Sequence, residues 1–137
     1  MTGKANIFLV GLDDFNLETL RALPQAKHCD FHAALSLAEM RGERADLDIP
    51  ALADHAAERM QNTPGGVAGV ASFFDFPGTL LAAMLAERFD LPGPGLESVL
   101  KCEHKYWSRL EQQKVVPDII PTFRAFDPLD DDAYSKI

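Results

Sequence analysis

The sequence predicts an α/β fold, a three-layer Rossmann-like domain built on a mainly parallel sheet. Three observations carry that expectation. Short apolar runs alternate with stretches of helical periodicity. Two of the runs, at 7–10 and 67–74, hold no charge, as strands covered on both faces require. Gly11 and Pro77 then mark the passages out of those runs toward helices.

Residues 7–10, Ile-Phe-Leu-Val, read as a first strand closed by Gly11. Asp13 or Asp14 can cap a following helix, whose Phe15, Leu17, Leu20 and Leu23 stop at Pro24. Cys29, Phe31, Ala33 and Leu35 alternate with His28, Asp30, His32 and Ala34, the period of a second strand with one more polar face. Residues 37–48 are mixed and charged, so they read as a loop holding at most a short helical turn. Pro50 suits the first turn of a helix through Leu52, Ala53, Ala56, Ala57 and Met60.

The 67–74 run makes the third strand. Pro77 suits a first helical position and Asp75 a cap, ahead of a helix with Leu80, Leu81, Met84 and Leu85 on one stripe. Pro92, Gly93, Pro94 and Gly95 break it, and 97–113 reads as one amphipathic helix through Val99, Leu100, Tyr106, Trp107 and Leu110. Beyond Lys114, Pro117 and Pro121 interrupt an apolar stretch, which suits an edge segment or an extended linker. The division expected is an α/β domain over 1–114 and a linker over 115–137.

Composition narrows the function. A chain of 137 residues with 47% hydrophobic and 25% charged residues has the make-up of a single globular domain. A net charge of −8 argues against nucleic acid and against an anionic membrane surface, leaving small molecules and proteins as partners. No run approaches the roughly 18 apolar residues of a membrane span. Cys29 and Cys102 lack metal or redox spacing and read as reduced thiols, so the expected location is cytoplasmic.

Several groups carry a chemical reading beside a plain one. Asp13 and Asp14 resemble a substrate-facing or magnesium-holding acidic pair, yet a cap plus a turn residue explains them too. His28, Asp30 and His32 would share a strand face at a metal-ligand spacing, but no fourth ligand is near in sequence, so no metal is assigned. Gly65, Gly66 and Gly69 precede a strand instead of joining strand to helix, so they are turn chemistry and not a dinucleotide fingerprint. Lys101, Lys105 and Arg109 recur at i, i+4, i+8, one basic helix face in an acidic chain.

Phe31-His32, then SFFDFPGTLLAAMLAERFDLPGPGLESVLKCEHKYWSRLEQQKVVPDIIPTF, resemble the N-terminal (pre-ATP-grasp, biotin-carboxylase-like) domain of ATP-grasp carboxylate–amine ligases. The resemblance implies a Rossmann-like layer followed by a module that holds ATP and magnesium. It implies an activity too: a carboxylate becomes an acyl phosphate, which an amine or similar nucleophile attacks. Lys105 matches the lysine that reaches a nucleotide phosphate, with His104 standing where an Asp is common. The loops holding Gly11, Asp13, Asp14 and Asn16, and Phe74 with Asp75, match the substrate-facing edge.

The ATP-grasp module itself, on the order of 150 residues or more, would follow Ile137. The chain therefore reads as one part of a longer ligase, inactive alone and with no catalytic residue of its own. A homodimer remains open. The rival readings are a stand-alone binding or interaction domain and a receiver-like signalling domain with Asp75 or Asp14 as acceptor.

Overall fold

The computed structural model describes residues 3–42 and 47–136. It divides into two compact units, Met1–Val99 and Leu100–Ile137. The first is an α/β unit on an open, all-parallel sheet of order β2-β1-β3. Its strands are β1 (Ala5–Leu12), β2 (Cys29–Ser36) and β3 (Gly69–Ser72). The α/β class and parallel sheet are thus as expected, and β3 is shorter than the 67–74 run.

β1 lies in the middle because it is the most apolar strand, and Phe8, Leu9 and Val10 are all buried. Phe8 and Val10 point into the main core, with Ala53, Ala56, Ala57 and Met60 of α3 (Ile49–Gln61) and Leu81 and Leu85 of α4 (Gly78–Arg88). The alanines let α3 approach the sheet closely. α1 (Asp14–Arg21) buries no side chain.

The β1–β2 ladder shifts register twice: β2 has an extra residue at Ala34, since Leu9 faces Ala33 and Val10 faces Leu35, and β1 has one at Gly11, since Leu12 faces Ser36. Ala34 and Leu35 are both fully buried. The carbonyls of Ala33 and Ala34 are not left bare, because Arg59 of α3 donates to them at 3.5 and 3.2 Å. The same guanidinium holds Glu39 two-handed, at 2.8 and 3.3 Å. Glu39 belongs to α2 (Leu37–Arg41), where Ser36 and Glu39 cap each other's backbone amides.

The structure therefore supplies the short helical turn expected within 37–48, as the five-residue α2. Ser36-Leu37-Ala38-Glu39 is a capping box, a signal present in the sequence and outweighed there by the mixed charge around it. Residues 43–46 of that expected loop lie outside the described residues.

At the other end of the strands, buried Asn6 ties the sheet to the turn before β3. Its Nδ2 donates to the carbonyls of Pro64 and Gly66 at 3.0 and 2.9 Å. With Nδ2 so engaged, Oδ1 must accept from His32 Nε2 at 2.9 Å, which fixes the proton on that ring nitrogen. His32 in turn stacks on Phe8 at 5.0 Å. It is thus a half-buried side chain whose Nε2 is satisfied. Asp30 pairs with Lys4 at 3.2 Å, and His28 ends a short 3₁₀ turn instead of joining the strand. The three do not form one strand face.

The second unit follows from a helix that breaks. The single helix expected over 97–113 is two, α5 (Leu96–Glu103) and α6 (Lys105–Gln113). His104 stands between them in extended conformation, and its Nδ1 accepts from the Trp107 amide at 3.3 Å. A side chain that caps the next helix competes with continuing the previous one. Within this unit Tyr106 meets Phe123 edge to face at 5.5 Å, a 3₁₀ turn spans Pro117–Ile119, and α7 covers Ala133–Lys136.

Two predictions arise from these contacts. Gly11 has φ +79°, and an added Cβ would stand 2.7 Å from Phe74 Cδ2 and 2.9 Å from Met40 Cε. Gly11→Ala should therefore cost roughly 3 kcal/mol in urea unfolding, from left-handed strain plus overpacking; a loss under half of that would refute the close contact. The second concerns Glu39, whose carboxyl the Arg59 hydrogen bonds hold far below the usual carboxylate range. Its stabilisation is complete above the ordinary carboxylate value and drains away as pH falls below that toward the depressed one. The urea midpoint should thus drop from pH 6 to pH 3 by more in the wild type than in Glu39→Gln, which keeps the capping geometry.

Candidate functional site

In a parallel sheet of order β2-β1-β3, the chain leaves β1 toward one side and β2 toward the other. The strand ends beyond Leu12 and Ser72 therefore diverge, the general place for a ligand crevice in open α/β sheets. All the residues expected to face substrate lie there: Gly11 at the end of β1, Asp13, Asp14 and Asn16 after it, and Phe74 and Asp75 after β3.

Their local roles differ. Gly11 and Phe74 are brought together, since the ring lies against the bare Cα with Met40 beside it. Phe74 packs on the core, so it offers a ligand a wall and no polar group. Asp13 is the N-cap of α1: its Oδ1 accepts from the Asn16 amide at 2.8 Å, which joins those two residues through backbone. Asp14 is exposed in the first helical turn, where a carboxylate suits the positive helix end.

Asp75 is exposed and does not cap α4 with its side chain, contrary to the sequence reading. The N-cap is Pro77, with no side-chain hydrogen bond, so α4 begins one residue later than expected, and the Asp75 carbonyl accepts from Gly78 at 2.6 Å. The reason is Ser72. Its hydroxyl donates to the Phe74 carbonyl at 3.0 Å and accepts from the Phe74 amide at 3.1 Å, closing the turn before the chain reaches Asp75. Gly78 lets α4 start directly on this turn, because a Cβ there would collide with Ser72 Oγ.

With Phe74 filling the β1–β3 side, the open space lies on the β1–β2 side. It is a shallow cavity of about 380 Å³ lined by Asp13, Asp14, Ser36 and Arg41 over Leu12 and Leu37. Arg41 was not singled out from sequence. Only the Ser36–Glu39 capping box, by placing α2 directly at the end of β2, could have pointed to it. Its guanidinium is exposed and makes no hydrogen bond or ion pair among the described residues. An always-charged fork in a cavity that two carboxylates also line can take a carboxylate or phosphate, while the aspartates can accept from an amine or hydroxyl.

In the second unit, the helix break divides the expected basic face. Lys101 stays on α5 and lies over the Trp107 ring at 5.7 Å, whereas Lys105 and Arg109 belong to α6. Arg109 donates to Gln112 at 2.9 Å. Lys105 is exposed at the first position of α6, with no hydrogen bond or ion pair among the described residues. Nearby, the Lys114 hydrogen bond holds the exposed Glu111 carboxyl below its usual range.

No group of acidic, histidine and cysteine side chains able to hold a metal ion occurs among the described residues, and no helix among them is long and apolar enough to cross a membrane. Comparison with protein-family models, curated proteins and solved structures finds no match.

The helix break gives position 104 a definite duty. An aspartate there would cap α6 better than a neutral imidazole and would also suit its positive end. His104→Asp should slow hydrogen exchange at the Trp107 amide by about fivefold, and His104→Ala should speed it by a similar factor. Equal exchange in all three proteins would refute the cap.

Proposed function

We propose that this chain supplies the substrate-side α/β domain of an ATP-grasp ligase, one that activates a carboxylate as an acyl phosphate for attack by an amine or similar nucleophile. The observation that carries this reading is Lys105. A cation at the first position of a helix opposes the macrodipole and weakens its own helix by roughly 0.3–1 kcal/mol. Lys105 does so while exposed and without a partner among the described residues. Its charge is therefore of no use to α6, and a nucleotide phosphate is the partner that the family resemblance offers.

The crevice supports the same reading. Arg41 can hold the carboxylate end of a substrate, with Asp13 and Asp14 across the cavity. ATP and magnesium fall to an ATP-grasp module. No residue of this chain is assigned to the metal, since no ligand cluster occurs among the described residues. Bound there, the nucleotide would supply the phosphoryl group and the metal would neutralise developing charge. One lysine cannot do that work alone, because phosphoryl transfer requires several positive groups around the phosphates.

The test uses the protein in which this chain is joined to such a module, assayed by ATP-dependent hydroxamate formation from carboxylates. Lys105→Ala should raise the KM for ATP about tenfold while leaving thermal stability equal or slightly higher. Arg41→Ala should raise the KM for the carboxylate and leave that for ATP unchanged. An unaltered ATP dependence in Lys105→Ala, or the absence of any joined module, would overturn the reading.

A further inference from the structure

A larger cavity, of about 600 Å³, opens at the opposite end of the sheet, where Lys4 precedes β1 and Cys29 begins β2. Three cations line it: Lys4, Arg21 and Lys27. In a chain of net charge −8, that concentration of positive charge on one concavity runs against the whole. Lys4 is taken up by Asp30 at 3.2 Å, so the rim acid is already neutralised. Arg21 and Lys27 make no hydrogen bond or ion pair among the described residues. Leu23 and the half-buried Phe31 give the wall an apolar part, beside Cys29 and His32, which line it too.

We propose that this cavity binds a phosphate monoester with a flat apolar body, the phosphate between Arg21 and Lys27 and the body against Leu23 and Phe31. A planar guanidinium and an ammonium together match a dianion, since the first fixes its oxygens two at a time and the second adds a point charge. The size lies within the range of small-molecule pockets. Arg21 and Lys27 also end helical turns, where a cation is favourable, and that duty alone would leave the site without affinity.

Phenyl phosphate titrated into the whole chain at constant ionic strength, followed by backbone amide NMR, decides between these two roles. Saturating shifts confined to Arg21, Lys27 and residues 29–31 are expected, with inorganic phosphate several-fold weaker because it lacks the apolar body. The Arg21→Gln/Lys27→Gln protein should bind about tenfold more weakly, and Lys27→Arg should retain affinity, which separates lost charge from lost fold. Linear shifts without saturation, equal affinity in the double variant, or saturation centred on Asp13 and Arg41 instead would each overturn the proposal.

Discussion

The first unit hangs on a wedge. Phe74 and Met40 meet between two glycines, Gly11 at the end of β1 and Gly78 at the start of α4. Each glycine removes a Cβ that would otherwise hold the elements apart, so two strands and two helices converge within van der Waals contact. Ser72 completes the junction, its single hydroxyl proton shared between the Phe74 carbonyl at 3.0 Å and the Val10 carbonyl at 3.2 Å, which couples the last pair of the β1–β3 ladder to the turn that delivers Phe74. Because the wedge fills the β1–β3 side, the open crevice is displaced toward α2. Packing thus decides which polar groups a ligand can meet.

On the β2 edge of the sheet, the extra residue at Ala34 interrupts the ladder and the Arg59 guanidinium occupies the carbonyls of Ala33 and Ala34, a common means of keeping an edge from pairing further. Arg59 can serve there because Glu39 neutralises it, and Glu39 is held in place by the capping box of α2. One ion pair therefore joins the helix that forms the crevice wall to the helix that covers the core. Losing either partner would disturb both layers.

How much was legible in the sequence follows from which signals are periodic. The burial of β1, α3 and α4 was readable because Phe8, Val10, Ala53, Ala56, Ala57, Met60, Leu81 and Leu85 repeat at the spacing of strands and helices. The Asp13 cap was readable as one of two neighbouring acids. Arg41 was not, since its place depends on a five-residue helix whose cap is local but whose position at the strand end is tertiary. Nor was the break at His104. The apolar pattern runs through it, and only the capping bond of an imidazole, an infrequent cap, interrupts the helix.

Charge is the property that sequence pattern reads least well, because its meaning depends on which end of a helix it occupies. Lys101, Lys105 and Arg109 look equivalent as a spaced triplet, yet the break at His104 gives each a different environment. Lys101 gains a ring, Arg109 gains an amide, and Lys105 stands at a positive helix end with no hydrogen bond or ion pair among the described residues. Arg21 and Lys27 sit at the other kind of end, where a cation stabilises the backbone whether or not a ligand is present. A basic residue that its own helix disfavours is therefore stronger ground for an external anion than one its helix rewards, and on that ground Lys105 stands ahead of Arg21 and Lys27.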